Sequence, residues 1–242
     1  MSSQTPNAKT ASALPPFKHV DILQTPTSLL YANLQPVLLL SILLFSFKTL
    51  VQDPVNTLLG LAPTVTILQG LYCALCLPST NQAPTTTSKP GQKKKPAKPA
   101  QDVWAKVVPA LLSLLLVLVL STPILYIIVI LFGAPLTTHQ PHTILLAFHL
   151  ALLTTPQLYY AHGLEAQTWY KLVSLQLPVD ELLGMSLGAC TGAWIGAIPI
   201  PLDWDREWQK WPVTIVVGLY VGAVVGKLLG GYLFKGWRIK LS

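Results

Sequence analysis

The sequence contains very few charged residues. Asp, Glu, Lys and Arg make up 10% of its 242 residues, whereas hydrophobic residues make up 52%. A water-soluble domain could not cover its surface with so little polar material, so a soluble enzyme or binding domain is excluded. The apolar residues occur in runs of about 20, and in hydrocarbon such runs form helices because every backbone amide needs a partner. They lack the polar/apolar alternation of a membrane β-barrel.

Cysteines and catalytic signatures are also scarce. Three cysteines, Cys73, Cys76 and Cys190, all lie in apolar runs, so a disulfide framework is excluded and packing roles are expected. The C-x-x-C spacing of the first two lacks the neighbouring histidine or strand-to-helix context of a zinc or redox site. The nucleophile-elbow, zinc-protease, P-loop and dinucleotide-binding signatures are missing. We therefore expect no catalytic residue, no metal site and no cofactor.

The apolar runs predict an all-α, polytopic integral membrane protein with about six transmembrane helices within residues 29–234. The six predicted spans lie near residues 29–47, 55–77, 107–132, 143–161, 182–200 and 213–234. Residues 1–28, rich in Ser, Thr, Pro and Ala, predict a disordered tail, and residues 235–242 a second, short tail. The Pro, Thr and Lys-rich stretch at 78–103 interrupts the domain as a flexible basic linker.

The distribution of basic residues predicts the orientation. With six spans, twelve Lys and Arg lie on the side of both termini and the linker, whereas three lie on the other side: Lys48, Arg206 and Lys210. The positive-inside rule makes both termini and the linker cytosolic, and the intervening loops lumenal. The linker's KKKPAKP run lacks the interleaved aromatics of a nucleic-acid site, so we interpret it as a topology determinant and expect no nucleic-acid partner.

Glycine recurs every four residues in the last two spans. The fifth span carries one row and the sixth another: Gly184, Gly188, Gly192, Gly196, and Gly218, Gly222, Gly226, Gly230. A stripe without side chains lets a neighbouring backbone approach closely and gain dispersion contacts that lipid tails do not match. Two compatible interpretations remain open: the rows pack against each other as a hairpin, or at least one faces another protein.

The loop between these spans concentrates charges and tryptophans. Trp204, Trp208 and Trp211 suit the headgroup layer of the lumenal leaflet. Asp203 and Asp205 form a D-x-D pattern, typical of metal sites that hold a sugar phosphate, but two carboxylates alone make a poor magnesium cage. We therefore favour ion pairs of Asp203 or Asp205 with Arg206 or Lys210 that fix the loop at the membrane surface.

Two ionisable residues fall within predicted spans. His149 has no histidine or carboxylate partner nearby in its span, so we expect a neutral ring hydrogen-bonded between helices. Lys227 lies near the cytosolic end of the sixth span, where we expect its side chain to snorkel toward the headgroups.

The segment PLDWDREWQKWPVTIVVGLYVGAVVG, residues 201–226, closely resembles the phosphatidylinositol glycan class F family. The resemblance is densest over residues 178–237 and extends more loosely over the six-span layout. It implies a non-catalytic subunit of the endoplasmic reticulum membrane that forms a heterodimer with an ethanolamine phosphate transferase of glycosylphosphatidylinositol (GPI) anchor biosynthesis. Membrane lipid, including the GPI precursor, is a further implied partner. The alternative is a lipid-handling enzyme or scramblase that uses the loop of Asp203, Trp204, Asp205 and Arg206.

Overall fold

The described part of the chain is helical. The computed structural model describes residues 19–79, 99–202 and 204–238, with backbone alone at 99–102. Within these ranges the α-helices are α1 (Pro26–Gln52), α2 (Pro54–Cys76), α3 (Pro99–Leu116), α4 (Thr122–Leu131), α5 (Gln140–Thr154), α6 (Pro156–His162), α7 (Ala166–Val173), α8 (Glu181–Ala197) and α9 (Val213–Leu228). Wider π-helical turns join α3 to α4 at Val117–Ser121 and extend α9 over Leu229–Leu233.

Five of the segments built from these helices are long and apolar enough to cross a membrane. They are Pro26–Gln52, Pro54–Cys76, Val103–Leu131, Gln140–His162 and Val213–Leu233. These five lie close to the predicted spans, so the polytopic helical fold is confirmed. The predicted fifth span corresponds to α8, which has 17 residues. At 1.5 Å per residue it is about 26 Å long, slightly less than the hydrocarbon core. The count of six therefore stays a prediction.

Local sequence signals set the helix boundaries. Asp53 is the single residue between α1 and α2, and its carboxylate accepts hydrogen bonds from the backbone and side chain of Asn56. These bonds lower the pKa of the Asp53 carboxyl. Pro156 divides the fourth span into α5 and α6, because proline lacks the N–H needed to continue the hydrogen-bond ladder.

Hydrogen bonds and an ion pair attach residues 19–25 and 235–238 to one end of the helical bundle, which we call the terminal end. The N–H of Leu23 donates to the carbonyl of Cys76, and the N–H of Val20 donates to Asp180. Lys235 pairs with Asp21 at 2.9 Å, and the N–H of Gly236 donates to Val179. The structure thus differs from the predicted tail, 1–28: residues 19–25 pack on the bundle, and residues 1–18 lie outside the described residues.

The remaining predicted polar segments are described only in part. The linker predicted at 78–103 ends earlier, since α3 already begins at Pro99, and residues 80–98 lie outside the described residues. The predicted tail at 235–242 is described as far as residue 238. The opposite end of the bundle, which we call the loop end, carries the turn at Asp53 and the connections 132–139 and 198–212.

The core lies between α1, α2, α5, α8 and α9. Cys73 and Cys76 are fully buried in a second apolar cluster that also contains Tyr72 and Leu182, as their predicted packing role requires, whereas Cys190 is exposed on α8. The third span packs much less closely. Only 11% of the most apolar window of Val103–Leu131 is buried, against 72% for Gln140–His162. Most of its surface therefore faces the surroundings of the bundle.

A glycine-packed helix pair and a buried polar chain

The two glycine rows pack against each other along the whole of α8 and α9. A Cβ added to Gly188 would lie 2.6 Å from the Cα of Gly226, and one added to Gly222 would lie 2.8 Å from the Cα of Gly192. In each case a carbonyl oxygen of the facing helix is closer still. This spacing leaves no room for any side chain, and it aims Cα–H groups at carbonyl oxygens across the seam.

The contacts follow an antiparallel register. Each step of four residues forward along α8 is matched by a step of four back along α9, so Gly184, Gly188 and Gly192 face Gly226, Gly222 and Gly218. At the ends, Gly230 meets the backbone of Asp180, and Gly196 meets that of Thr214. The structure therefore brings all eight predicted glycines together as a hairpin. Whether one row also contacts another protein stays a prediction.

Gln209 organises the loop that joins α8 to α9. Its side-chain N–H₂ donates to the carbonyls of Pro199 and Leu202 at 2.8 and 2.9 Å, and its Oε1 accepts from the N–H of Arg206 at 2.9 Å. Gln209 is 7% exposed, and this one buried side chain connects three backbone groups of the loop. The carbonyls of Pro199 and Leu202 also accept from the N–H groups of Leu202 and Trp204, so Gln209 adds a second donor to each. Gln209 was not predicted from the sequence, since a single glutamine among charged neighbours gives no local signal.

The charges and tryptophans of this loop depart partly from expectation. Lys210 pairs with Glu207 at 3.3 Å, both in exposed positions, whereas we predicted ion pairs of Asp203 or Asp205 with Arg206 or Lys210. The pairing of Arg206 stays a prediction. Glu207 and Lys210 are three residues apart, a spacing that brings two side chains together on a helical turn. Asp205 has a positive φ of 48°, and Asp203 lies outside the described residues.

The tryptophans of the loop occupy two environments. The rings of Trp204 and Trp208 contact each other with centroids 5.9 Å apart, and Trp204 is exposed. Trp211 instead is partly buried and packs against the core. Only the first two therefore remain available to the headgroup layer or to another molecule.

At the opposite, terminal end of the hairpin lies a buried polar chain, which we define as Lys227, Glu181, Tyr72, Gln35 and Gln69. Lys227 pairs with Glu181 at 3.1 Å, donates to Oε1 of Gln35 at 2.6 Å, and lies 4.2 Å from the centre of the Tyr72 ring. Tyr72 donates to Glu181 at 2.8 Å. The predicted snorkelling of Lys227 is therefore wrong, because its side chain is 4% exposed and turns into the bundle.

The polar chain continues to the break in the fourth span. Gln35 donates to Gln69 at 2.7 Å, and Gln69 donates to the carbonyl of Leu152 at 2.9 Å. In a continuous helix this carbonyl would accept from residue 156, but Pro156 has no N–H. The side chain of Gln69 thus replaces the missing helical hydrogen bond in a region without water.

His149 links three helices in the core. Its Nε2 donates to the carbonyl of Leu58 at 3.0 Å, and its Nδ1 lies 2.7 Å from the hydroxyl of Tyr220. A carbonyl only accepts, so Nε2 carries a proton, and the neutral ring then accepts the Tyr220 proton at Nδ1. The ring is fully buried, and the prediction of a histidine hydrogen-bonded between helices is confirmed.

Comparisons of this chain with a family model and with individual relatives point to the same family. The model of Pig-F, described as a GPI biosynthesis protein family, matches residues 34–231. Relatives named glycosylphosphatidylinositol anchor biosynthesis protein 11 include one from Neurospora crassa, 42% identical over 93% of this chain and 83% of the relative. Those from Pyricularia oryzae and Aspergillus fumigatus are 42% and 36% identical, over 86% and 96% of this chain and 78% and 91% of the relatives. No solved structure matches this chain.

Proposed function

This chain belongs to the Pig-F family of GPI biosynthesis proteins, and we propose that within GPI-anchor biosynthesis it is a non-catalytic stabilising subunit. Its partner in this proposal is the catalytic ethanolamine phosphate transferase that modifies GPI mannoses. The complex would lie in the endoplasmic reticulum membrane, with the terminal end of the bundle cytosolic and the loop end lumenal, as the distribution of Lys and Arg favours.

One observation carries the proposal: the contrast between a closely packed core and an exposed third span. The most apolar window of Val103–Leu131 has a mean hydropathy of 2.9, the highest of the five candidate spans, yet only 11% of that window is buried. The window of Val213–Leu233 is 61% buried. A hydrophobic helix held at the edge of a rigid bundle offers a long surface to the membrane helices of a larger protein.

The experiment compares the chain alone with the chain in its complex. Affinity-tagged protein is extracted in mild detergent, and copurifying proteins are identified by mass spectrometry. We expect a multispan ethanolamine phosphate transferase in stoichiometric amount, and loss of that enzyme when the chain is depleted. The chain purified alone should transfer no ethanolamine phosphate and should not accelerate lipid exchange between the leaflets of reconstituted vesicles. Activity of the isolated chain in either assay would favour the lipid-handling alternative.

Two matched variants test whether the third span forms the contact. Val119→Trp changes an exposed position on the π-helical turn of this span, and Leu44→Trp changes a similarly exposed position on α1. Both positions lie on the outer surface, so neither variant should disturb the core. We expect Val119→Trp to lower recovery of the transferase and Leu44→Trp to leave it unchanged. Equal recovery with both variants would contradict this choice of surface.

A further inference from the structure

Lys227 is a cation within an apolar span, compensated entirely by other helices. It lies six residues before the end of the 21-residue span Val213–Leu233, and its ammonium group has three acceptors. These are Glu181 at 3.1 Å, Oε1 of Gln35 at 2.6 Å and the carbonyl of Ala32 at 2.9 Å. An ammonium group has three N–H donors, so its hydrogen-bonding capacity is filled.

Helix α1 supplies two of these three acceptors. The carbonyl of Ala32 is available because its helical donor would be residue 36, which is proline and has no N–H. Gln35, one residue earlier, is fully buried and joins Lys227 to Gln69 on α2. Pro36 and Gln35 are adjacent on α1, and the carbonyl that Pro36 leaves free and Oε1 of Gln35 are the two acceptors that bind the ammonium group of Lys227 on α9.

Without α1, the hairpin of α8 and α9 retains a single acceptor for this cation. Glu181 begins α8 and is 15% exposed, whereas the Lys227 side chain is 4% exposed. A lysine is among the least favourable residues in the interior of a membrane helix, because hydrocarbon does not solvate its charge. The eight glycines hold α8 to α9, but they do not contact this charge.

We propose that Lys227 is an assembly lock: it makes stable membrane integration of the α8–α9 hairpin conditional on the docking of α1. Once α1 docks, Ala32 and Gln35 complete the coordination of the ammonium group. Gln35 also donates to Gln69 on α2, and Gln69 in turn donates to the carbonyl that the break at Pro156 leaves without its helical donor. The lock acts within this chain, so it stands or falls independently of the proposed role as a subunit.

The test is a double-mutant cycle in the full-length chain. Gln35→Leu removes one acceptor of Lys227 and the donor to Gln69 while keeping an apolar side chain of similar size. It is measured in the natural background and in a neutral background, Lys227→Met with Glu181→Gln, in which Tyr72 keeps an acceptor. The control is Asn33→Leu, which removes an exposed amide two residues away on α1, together with its exposed 3.3 Å hydrogen bond from Tyr232. The readout is the folded-to-unfolded ratio of the protein in mixed micelles.

We expect Gln35→Leu to lower this ratio about tenfold or more in the natural background, because it leaves a buried charge undercoordinated. In the neutral background the loss should be less than about threefold, and Asn33→Leu should have little effect in either. Equal losses from Gln35→Leu in both backgrounds would show ordinary packing and overturn the proposal. A neutral background that does not fold would also overturn it, since the cluster would then be required for stability itself.

Discussion

The close approach of the two glycine rows gives the sharpest prediction, for the variant Gly222→Ala. A Cβ at this position would lie 2.8 Å from the Cα of Gly192 and 3.1 Å from the carbonyl carbon of Gly188. Carbon atoms in favourable contact are about 3.5–4.0 Å apart, so the two helices must separate locally by about 1 Å. Both neighbours are backbone atoms, which have no rotamer with which to move aside. We expect destabilisation by about 1–3 kcal/mol, the usual cost of an overpacked core.

Gly60→Ala is the matched control. Gly60 is also a helical glycine, in α2, but an added Cβ would meet no atom within 4 Å. Alanine is the better helix former by about 0.8–1.0 kcal/mol, so this variant should be neutral or slightly stabilising. The assay is reversible unfolding of both purified variants in mixed micelles. Equal stability of Gly222→Ala and Gly60→Ala would refute the reasoning, because it would mean that the glycine seam relaxes at no cost.

Three further outcomes are expected. In sealed microsomes from a Cys190→Ser background, a cysteine placed within 79–103 should react with an impermeant thiol reagent and one at 205 should not; the reverse pattern would overturn the orientation. Gln209→Leu should make the loop between α8 and α9 sensitive to protease, because the loop loses the three side-chain hydrogen bonds that connect Pro199, Leu202 and Arg206; an unchanged digestion pattern would contradict this. Gln69→Leu should destabilise the protein by about 1–3 kcal/mol, as measured by unfolding, since the Leu152 carbonyl loses its donor.

The spans and the glycine seam could be predicted from the sequence because both are periodic signals. A run of about 20 apolar residues determines a helix in hydrocarbon regardless of its neighbours. Glycines four residues apart mark one face of a helix, and two such rows joined by a short connection can meet in an antiparallel pair. For this reason the observed contacts of Gly184 with Gly226 and of Gly192 with Gly218 follow almost directly from the spacing of the glycines in the sequence.

The environment of Lys227 could not be predicted in the same way. Its position near the end of an apolar run is compatible both with snorkelling and with burial, and nothing within α9 distinguishes them. The choice depends on Gln35 and Glu181, which are 192 and 46 positions away in the chain and approach only when α1 and α8 pack beside α9. The partner of Lys210 was missed for a similar reason, because the loop conformation decides which carboxylate it reaches.

Proline positions nevertheless contain information about these polar contacts. A proline inside a membrane helix leaves the carbonyl four residues earlier without its helical donor, and hydrocarbon supplies no substitute. In this protein Pro36 releases the carbonyl of Ala32 for Lys227, and Pro156 releases that of Leu152 for Gln69. Both donors are polar residues within otherwise apolar runs of other helices. At these two sites a proline in one span and an isolated polar residue in another are therefore the two halves of a single tertiary contact between neighbouring spans.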